Sequence, residues 1–153
     1  MGITFVRKEI DMEKIAVVYW SGTGNTEKMA HAVCEGIRGA DGEATLYEAA
    51  SFSAEHLDAL DGVAFGCPSM GAEELEQMTF APMFSACESR LKDKKIGLFG
   101  SYGWGDGEWM RTWEAHCVEL GAKFAGESVI TCGEPDDVAT EGCKELGRLL
   151  ASS

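Results

Sequence analysis

Three glycine-rich stretches hold most of the side chains in this sequence that could bind a ligand. The first is Ser21-Gly22-Thr23-Gly24-Asn25-Thr26, with four hydroxyl or amide side chains in six residues. Its glycines let the backbone curl so that several N–H groups face one point. Where such a turn enters a helix, the helix N-terminus adds partial positive charge. The stretch therefore reads as a phosphate cradle built from neutral donors. No Gly-Lys-Ser/Thr follows it, so it is not a nucleoside-triphosphate loop. Glu27 stands three places after Gly24, so the spacing of a dinucleotide fingerprint is missing too. A cradle without Lys or Arg suits a terminal monophosphate held by hydrogen bonds. The bland alternative is a polar turn that caps a helix.

The second stretch is Cys67-Pro68-Ser69-Met70-Gly71-Ala72-Glu73-Glu74-Leu75-Glu76. The third is Ser101-Tyr102-Gly103-Trp104-Gly105-Asp106-Gly107-Glu108-Trp109. Aromatic residues set among glycines are poorly placed to build a core. A loop Trp can instead cover a flat ligand in offset geometry, and glycines let backbone amides approach a heterocycle edge-on. The three stretches together describe a phosphate tail and a planar ring.

The elements between them must position these loops. Residues 15–20 (IAVVYW), 63–67 (VAFGC) and 95–100 (KIGLFG) are short and apolar throughout, as strands covered on both faces are. Residues 44–48 alternate and suit an edge strand, and 122–132 read as a strand interrupted around Gly126. Helical stripes recur between the strands: Met29, Val33 and Ile37, with Gly39 as a stop signal; then Phe80, Met83, Phe84, Cys87 and Leu91, with Pro82 in the first turn. Met110, Trp113, Cys117 and Leu120 form a third stripe, with Trp113 expected to pack rather than react. Ala139, Cys143, Leu146 and Leu150 form the last, opened by Pro135-Asp136-Asp137, and a short helix is expected over 53–60. Alternation of this kind predicts a parallel sheet with helices on both faces, joined by right-handed crossovers. Such sheets bind ligands beyond the carboxyl ends of their strands, at the switch in strand order. The three unusual loops follow the first, third and fourth strands.

Composition narrows the partners. The 153 residues suit one domain, and no repeat or linker divides them. The net charge of −13 repels nucleic acid and anionic membranes and attracts basic partners. The longest apolar run, Ile15–Trp20, is too short to span a bilayer, and Met1–Glu9 lacks the apolar stretch of a signal peptide. Gly2 lacks the Ser or Thr at Val6 that an acylation signal needs. A cytoplasmic chain is expected. None of Cys34, Cys67, Cys87, Cys117, Cys132 and Cys143 lies in a C-x-x-C pair or completes a metal-ligand set, so all six read as small buried hydrophobes. His31, His56 and His116 lie outside the three loops and are expected to be solvated.

At V-Y-W-S-G-T-G-N-T (18–26), G-C-P-S-M-G-A-E-E-L (66–75) and G-L-F-G-S-Y-G-W-G-D-G-E-W-M (97–110) the sequence resembles the flavodoxins, specifically the short-chain type of anaerobic bacteria. The resemblance runs from Lys14 to Leu150. The first motif also occurs in FMN reductases, whereas all three in order are specific. The resemblance implies a flavodoxin-like, doubly wound α/β fold, with a five-stranded parallel sheet of order 2-1-3-4-5 and one non-covalently bound FMN. It implies that Ser21, Gly22, Thr23, Gly24, Asn25 and Thr26 hold the phosphate. Pro68, Ser69, Met70, Gly71, Ala72 and Glu73, with Ser101, Tyr102, Gly103, Trp104 and Gly105, would surround the rest of the cofactor. Met70 would lie on the inner face of the ring and Trp104 on the outer. Ser69 and Ser101 would sit near the ribityl chain or ring edge, Gly103 and Gly105 would meet the pyrimidine end, and Glu73 would accept from the ring N3–H. The peptide after Gly71 would turn its carbonyl toward N5 when the flavin gains one electron, a movement that a Cβ would oppose. Two departures stand out: Ala72 where many relatives are polar, and Gly133 before Glu134-Pro135 where close relatives often carry Asn.

The resemblance implies a low-potential one-electron carrier, shuttling between semiquinone and hydroquinone, with no substrate, catalytic residue or metal of its own. It would be a monomer serving basic docking faces of reductases and ferredoxin-linked oxidoreductases. The alternative is an FMN-dependent NAD(P)H or quinone reductase of the same fold, although little chain remains here to close over a second substrate. A phospho-receiver would need acidic residues where Trp20/Ser21 and Gly66/Cys67 stand, and a low-molecular-weight phosphatase would need a Cys-x5-Arg loop. Residues 1–13 are read as an N-terminal extension, with Met12 as the functional start or 1–11 as an appended arm, and 14–153 as the FMN-binding domain. Glu73, Glu74, Glu76, Asp106 and Glu108 are expected to ring the flavin edge. At ~10 Å in a waterlike dielectric each such charge lowers the second potential by roughly 18 mV before salt screening.

Overall fold

The computed structural model describes residues 12–152; the expected arm, residues 1–11, lies outside them. Its parallel strands are β1 (Lys14–Tyr19), β2 (Glu43–Glu48), β3 (Gly62–Gly66), β4 (Lys95–Tyr102), β5 (Lys123–Phe124) and β6 (Val129–Cys132). The helices are α1 (Asn25–Gly39), α2 (Phe80–Cys87), α3 (Glu108–Glu119) and α4 (Asp137–Ala151). Strand order is β2-β1-β3-β4-β5, with β6 also paired to β4. β5 faces β4 at Lys95 and Ile96, and β6 faces it at Phe99 through Tyr102. They are thus two halves of one interrupted fifth strand, as the sequence predicts. At the break, Gly126 lets Leu149 pack close, since a Cβ there would lie 2.6 Å from its Cδ1.

The uninterrupted apolar runs explain the buried central strands. Alternate residues of β1, β3 and β4 feed opposite faces of the sheet. Ala16, Val18, Val63, Phe65, Ile96 and Leu98 pack with α2 and α3 through Phe80, Met83, Phe84, Trp109 and Trp113. Ile15, Val17, Tyr19, Ala64 and Phe99 pack with α1 and α4 through Met29, Val33, Ile37, Cys143, Leu146 and Leu150. α1 and α4 touch backbone to backbone, where a Cβ on Gly36 would overlap the Lys144 carbonyl and one on Gly147 the Val33 carbonyl. β2 is half-exposed, as its alternation requires.

Three expectations need correction. Gly39 does not stop α1 in a left-handed turn, because it is the helix's last residue; Asp41, with φ 65°, makes the turn. Asp tolerates this conformation better than most residues, and Gly42 lies just beyond it, where a Cβ would meet Ile37 and Ala151. Cys132 is exposed at the end of β6, while the other five thiols are buried. Burial pushes Cys67, Cys117 and Cys143 up to about 12 and Cys87 to about 11, so all four stay protonated and inert. Of the histidines only His31 is well exposed. His56 is half-buried, its ring centroid 5.1 Å from those of Phe52 and Tyr47 and its Nδ1 accepting the Ser53 N–H. The half-buried His116 has Nε2 2.8 Å from Glu88 Oε2. The short helix expected over 53–60 is a 3₁₀ turn over Ala54–Ala59.

Candidate functional site

The three loops meet beyond the carboxyl ends of β1, β3 and β4, around a cleft of about 240 Å³. Gly22, Thr23, Asn25 and Thr26 line it from the first loop, Pro68, Ser69 and Met70 from the second, and Ser101, Tyr102 and Gly103 from the third. Trp20 and Gly133 complete the wall. Trp20 escapes sequence reading because it continues the apolar run of β1. Its ring lies where a Cβ on Gly22 would come within 3.2 Å.

The cradle is shaped from within. Ser21 Oγ accepts from Gly24 N–H (3.1 Å) and Glu27 N–H (3.3 Å), so this side chain sets the turn rather than lining the cleft. Gly24 holds φ at 97°, a conformation that a Cβ would oppose, and α1 starts at the next residue. Helix geometry leaves the first-turn N–H groups of Asn25 and Thr26 without intrahelical acceptors, at the positive end of a four-turn dipole. Thr26 is 1% exposed, and its Oγ1 shares a 3.0 Å hydrogen bond with Ser101 Oγ. That bond ties the phosphate loop to the end of β4. The wall contains no Lys or Arg, and the nearby Lys28 pairs outward with Glu134 at 2.9 Å. Neutral donors at a helix N-terminus fit a monophosphate.

The second loop is a small hairpin. Met70 and Glu74 exchange N–H···O bonds of 2.8 and 3.0 Å, and Gly71 and Glu73 carry positive φ of 50° and 58° between them. Ser69 N–H donates to the Ser101 carbonyl at 2.9 Å, extending the β3–β4 ladder into the loops. Met70, which lines the cleft, is 37% exposed, and Trp104, next in sequence to the lining residue Gly103, is 63% exposed. Gly71, Ala72, Glu73, Trp104 and Gly105 do not line the cleft, although they follow its lining residues Met70 and Gly103 in the chain. Glu73 instead joins two loops: its Oε1 accepts from Glu108 N–H at 3.2 Å, and its carboxylate packs where a Cβ on Gly105 would stand. At Gly133, φ is 74° and its N–H donates to the Tyr102 carbonyl, so backbone alone forms the cleft wall there.

Glu76 does not join the acidic ring. It is 6% exposed and accepts the N–H groups of Met78, Thr79 and Phe80 at 2.8, 2.9 and 2.7 Å. Burial opposes its charge, but the three N–H donors outweigh burial and hold its carboxyl below the usual carboxylate value. Its task is to cap α2 and fix the second loop. Trp109 also lies in the core, 2% exposed, with Nε1 donating to the Cys67 carbonyl at 3.1 Å. Arg111 enters the ring instead, 2.9 Å from Asp106 Oδ1 and 3.5 Å from Glu108 Oε2. The i,i+3 spacing from Glu108 was its only signal in the sequence.

Fold and cleft together define a class: a doubly wound α/β protein whose switch point is shaped for a flat ligand ending in a monophosphate. Comparisons with known proteins narrow the class. The Flavodoxin family model matches residues 17–147. The chain is 43% identical to a flavodoxin of Megasphaera elsdenii over 141 residues, covering 91% of this chain and 99% of that one. It is 38% identical to a flavodoxin of Clostridium beijerinckii, covering 89% of this chain and 98% of that one. The solution structure of two-electron reduced Megasphaera elsdenii flavodoxin superposes with a TM-score of 0.84 at 39% identity, over 91% of this chain and 99% of that chain. The chain belongs to the flavodoxin family, whose members are FMN-binding electron carriers and not enzymes. Among the described residues no helix is long and apolar enough to cross a membrane.

Proposed function

We propose that this cleft holds FMN, with Gly22, Thr23, Asn25 and Thr26 around its phosphate and Met70 and Trp104 against its ring. The observation that carries this reading is the convergence of three loops on one cleft that offers neutral donors at a helix N-terminus and the half-exposed apolar side chain of Met70. FMN supplies one-electron transfer when bound; the chain supplies position and electrostatics. Ser21 and Gly24 shape the cradle, and the Thr26–Ser101 bond holds it against β4. Ser69 and Ser101 would meet the ribityl chain or ring edge, and Gly103 and Gly105 the pyrimidine end, with Pro68 and Tyr102 beside them. Glu73 Oε2 is the acceptor offered to a ring N–H. The Gly71–Ala72 peptide is the group that turns its carbonyl to hold a proton at the ring N5, using the conformational freedom that Gly71 supplies. Ala72 contributes no polar side chain to this movement.

The partners are redox proteins with basic docking faces, drawn by Glu73, Glu74, Asp106 and Glu108. The chain works as a cytoplasmic monomer, and residues 14–153 form the FMN-binding domain. Lys95 Nζ binds both Glu13 Oε1 (3.1 Å) and the Ser152 carbonyl (2.7 Å), so Glu13, the last residue of the expected extension, already packs with that domain. Titrating the apoprotein with FMN tests the site. One FMN should bind per chain, and Asn25→Asp should weaken FMN more than riboflavin, because the added charge faces the phosphate. Equal weakening of both ligands would contradict the phosphate assignment.

A further inference from the structure

A second groove, of about 250 Å³, lies between α2 and α3 and shares Glu73 with the proposed FMN site. Leu75, Phe84, Trp109 and Trp113 give it an apolar, largely aromatic wall. Glu73, Glu74 and Glu88 bring carboxylates to it, and no Lys or Arg lines it. His116 is the one basic side chain in the wall, bound to Glu88 at 2.8 Å. Trp113 is 3% exposed, and its Nε1 is the buried side-chain polar atom that finds no hydrogen-bond partner among the described residues. A buried N–H in that state is costly, and an arriving oxygen would relieve it.

An aromatic wall beside carboxylates that no Lys or Arg offsets selects a particular cation. A guanidinium stacks flat on an aromatic ring and pairs with carboxylates through its fork, whereas an ammonium is a strongly hydrated point charge. We propose that this groove anchors an arginine side chain from a basic segment of a redox partner protein. The guanidinium pairs with Glu74 and Glu88, and a carbonyl of the same segment accepts from Trp113 Nε1 as α2 and α3 part to admit it. The inference rests on the reading of this chain as an electron carrier that docks on partners. The Met70–Glu74 hairpin links the two sites, since Met70 lines the FMN cleft while Glu73 and Glu74 line the groove. An arginine seated here therefore brings the partner's surface to the exposed ring edge.

The test uses the FMN-loaded full chain, labelled with ¹⁵N, and a short synthetic peptide alternating arginine and leucine. The Trp113 indole N–H resonance should shift saturably and move downfield. Replacing arginine by lysine in the peptide should weaken binding several-fold. The double variant Glu74→Gln/Glu88→Gln should weaken it about tenfold, which corresponds to 1.4 kcal/mol. Ala81→Trp, which fills the groove and leaves every carboxylate in place, should abolish the Trp113 shift while FMN binding stays unchanged. The proposal is overturned by shifts confined to Trp104, Asp106 and Glu108, by equal binding of the lysine peptide, or by indifference to Ala81→Trp. It is also overturned if the peptide binds only after residues 1–11 are removed, because that segment would then be the occupant. Failure of the chain to bind FMN at all would instead defeat the electron-carrier reading.

Discussion

Gly71 and Glu76 stand five residues apart in one loop, and each is required for a different reason. Gly71 sits at φ 50°, and a Cβ there would meet nothing within 4 Å. A side chain at this position therefore acts through backbone preference, not through a clash. Gly71→Val should reduce the separation between the two one-electron potentials of the bound flavin while leaving FMN affinity nearly unchanged; an unchanged separation in potentiometric titration would remove the role given to this residue. Glu76 works through three N–H bonds, and Glu76→Gln should destabilise the fold by about 1–3 kcal/mol at neutral pH. Its folded pKa lies below the unfolded value, so its stabilisation is present above the unfolded pKa and is lost as pH falls through the folded one. Denaturant unfolding should show the variant closing on the parent protein as pH drops below about 4. The ligand loops were legible in the sequence because glycine, hydroxyl and aromatic residues in loops carry their chemistry in their types. Glu76 was not, since a loop carboxylate looks the same whether it faces water or caps a helix. What distinguishes it is the start of α2 at Phe80, a boundary that residue types alone left open.

The elements themselves were largely readable. Continuous apolar runs gave β1, β3 and β4, and the alternating residues of β2 placed it at an edge. What composition could not give was the contact between α1 and α4, because Gly36 and Gly147 look like weak points in a helix until the partner backbone is seen. Gly36→Ala should cost about 1–3 kcal/mol or more, since the new Cβ meets a carbonyl that cannot rotate away. Gly39→Ala, one turn later with open space around it, should be neutral or stabilising. Thermal unfolding of the two variants side by side checks this, and equal losses would contradict the close packing. Asp41 shows the same limit: the sequence marks the helix end by Gly39, where the helix does end, but the left-handed turn falls at Asp41, which residue type alone does not single out.

Charge acts at the scale of the whole molecule. The net −13 is spread over the surface, but near the cleft its effect is smaller than a count of acids implies. Glu76 is spent on a helix, and Arg111 offsets part of Asp106 and Glu108. Arg111→Gln should lower the second reduction potential by on the order of ten millivolts at low salt, with the difference fading as ionic strength rises. An effect independent of salt would mean that Arg111 shapes the loop rather than the field. Association with basic redox partners should likewise slow as salt is added.

The most direct test of the account is stepwise anaerobic reduction of the purified protein, followed by absorption and potential. The account predicts a yellow protein with one FMN per chain, reduced in two separate one-electron steps, the second at low potential, and inert to NADH without a partner enzyme. A colourless protein that takes up no FMN, or a flavin bleached directly by NADH, would contradict it.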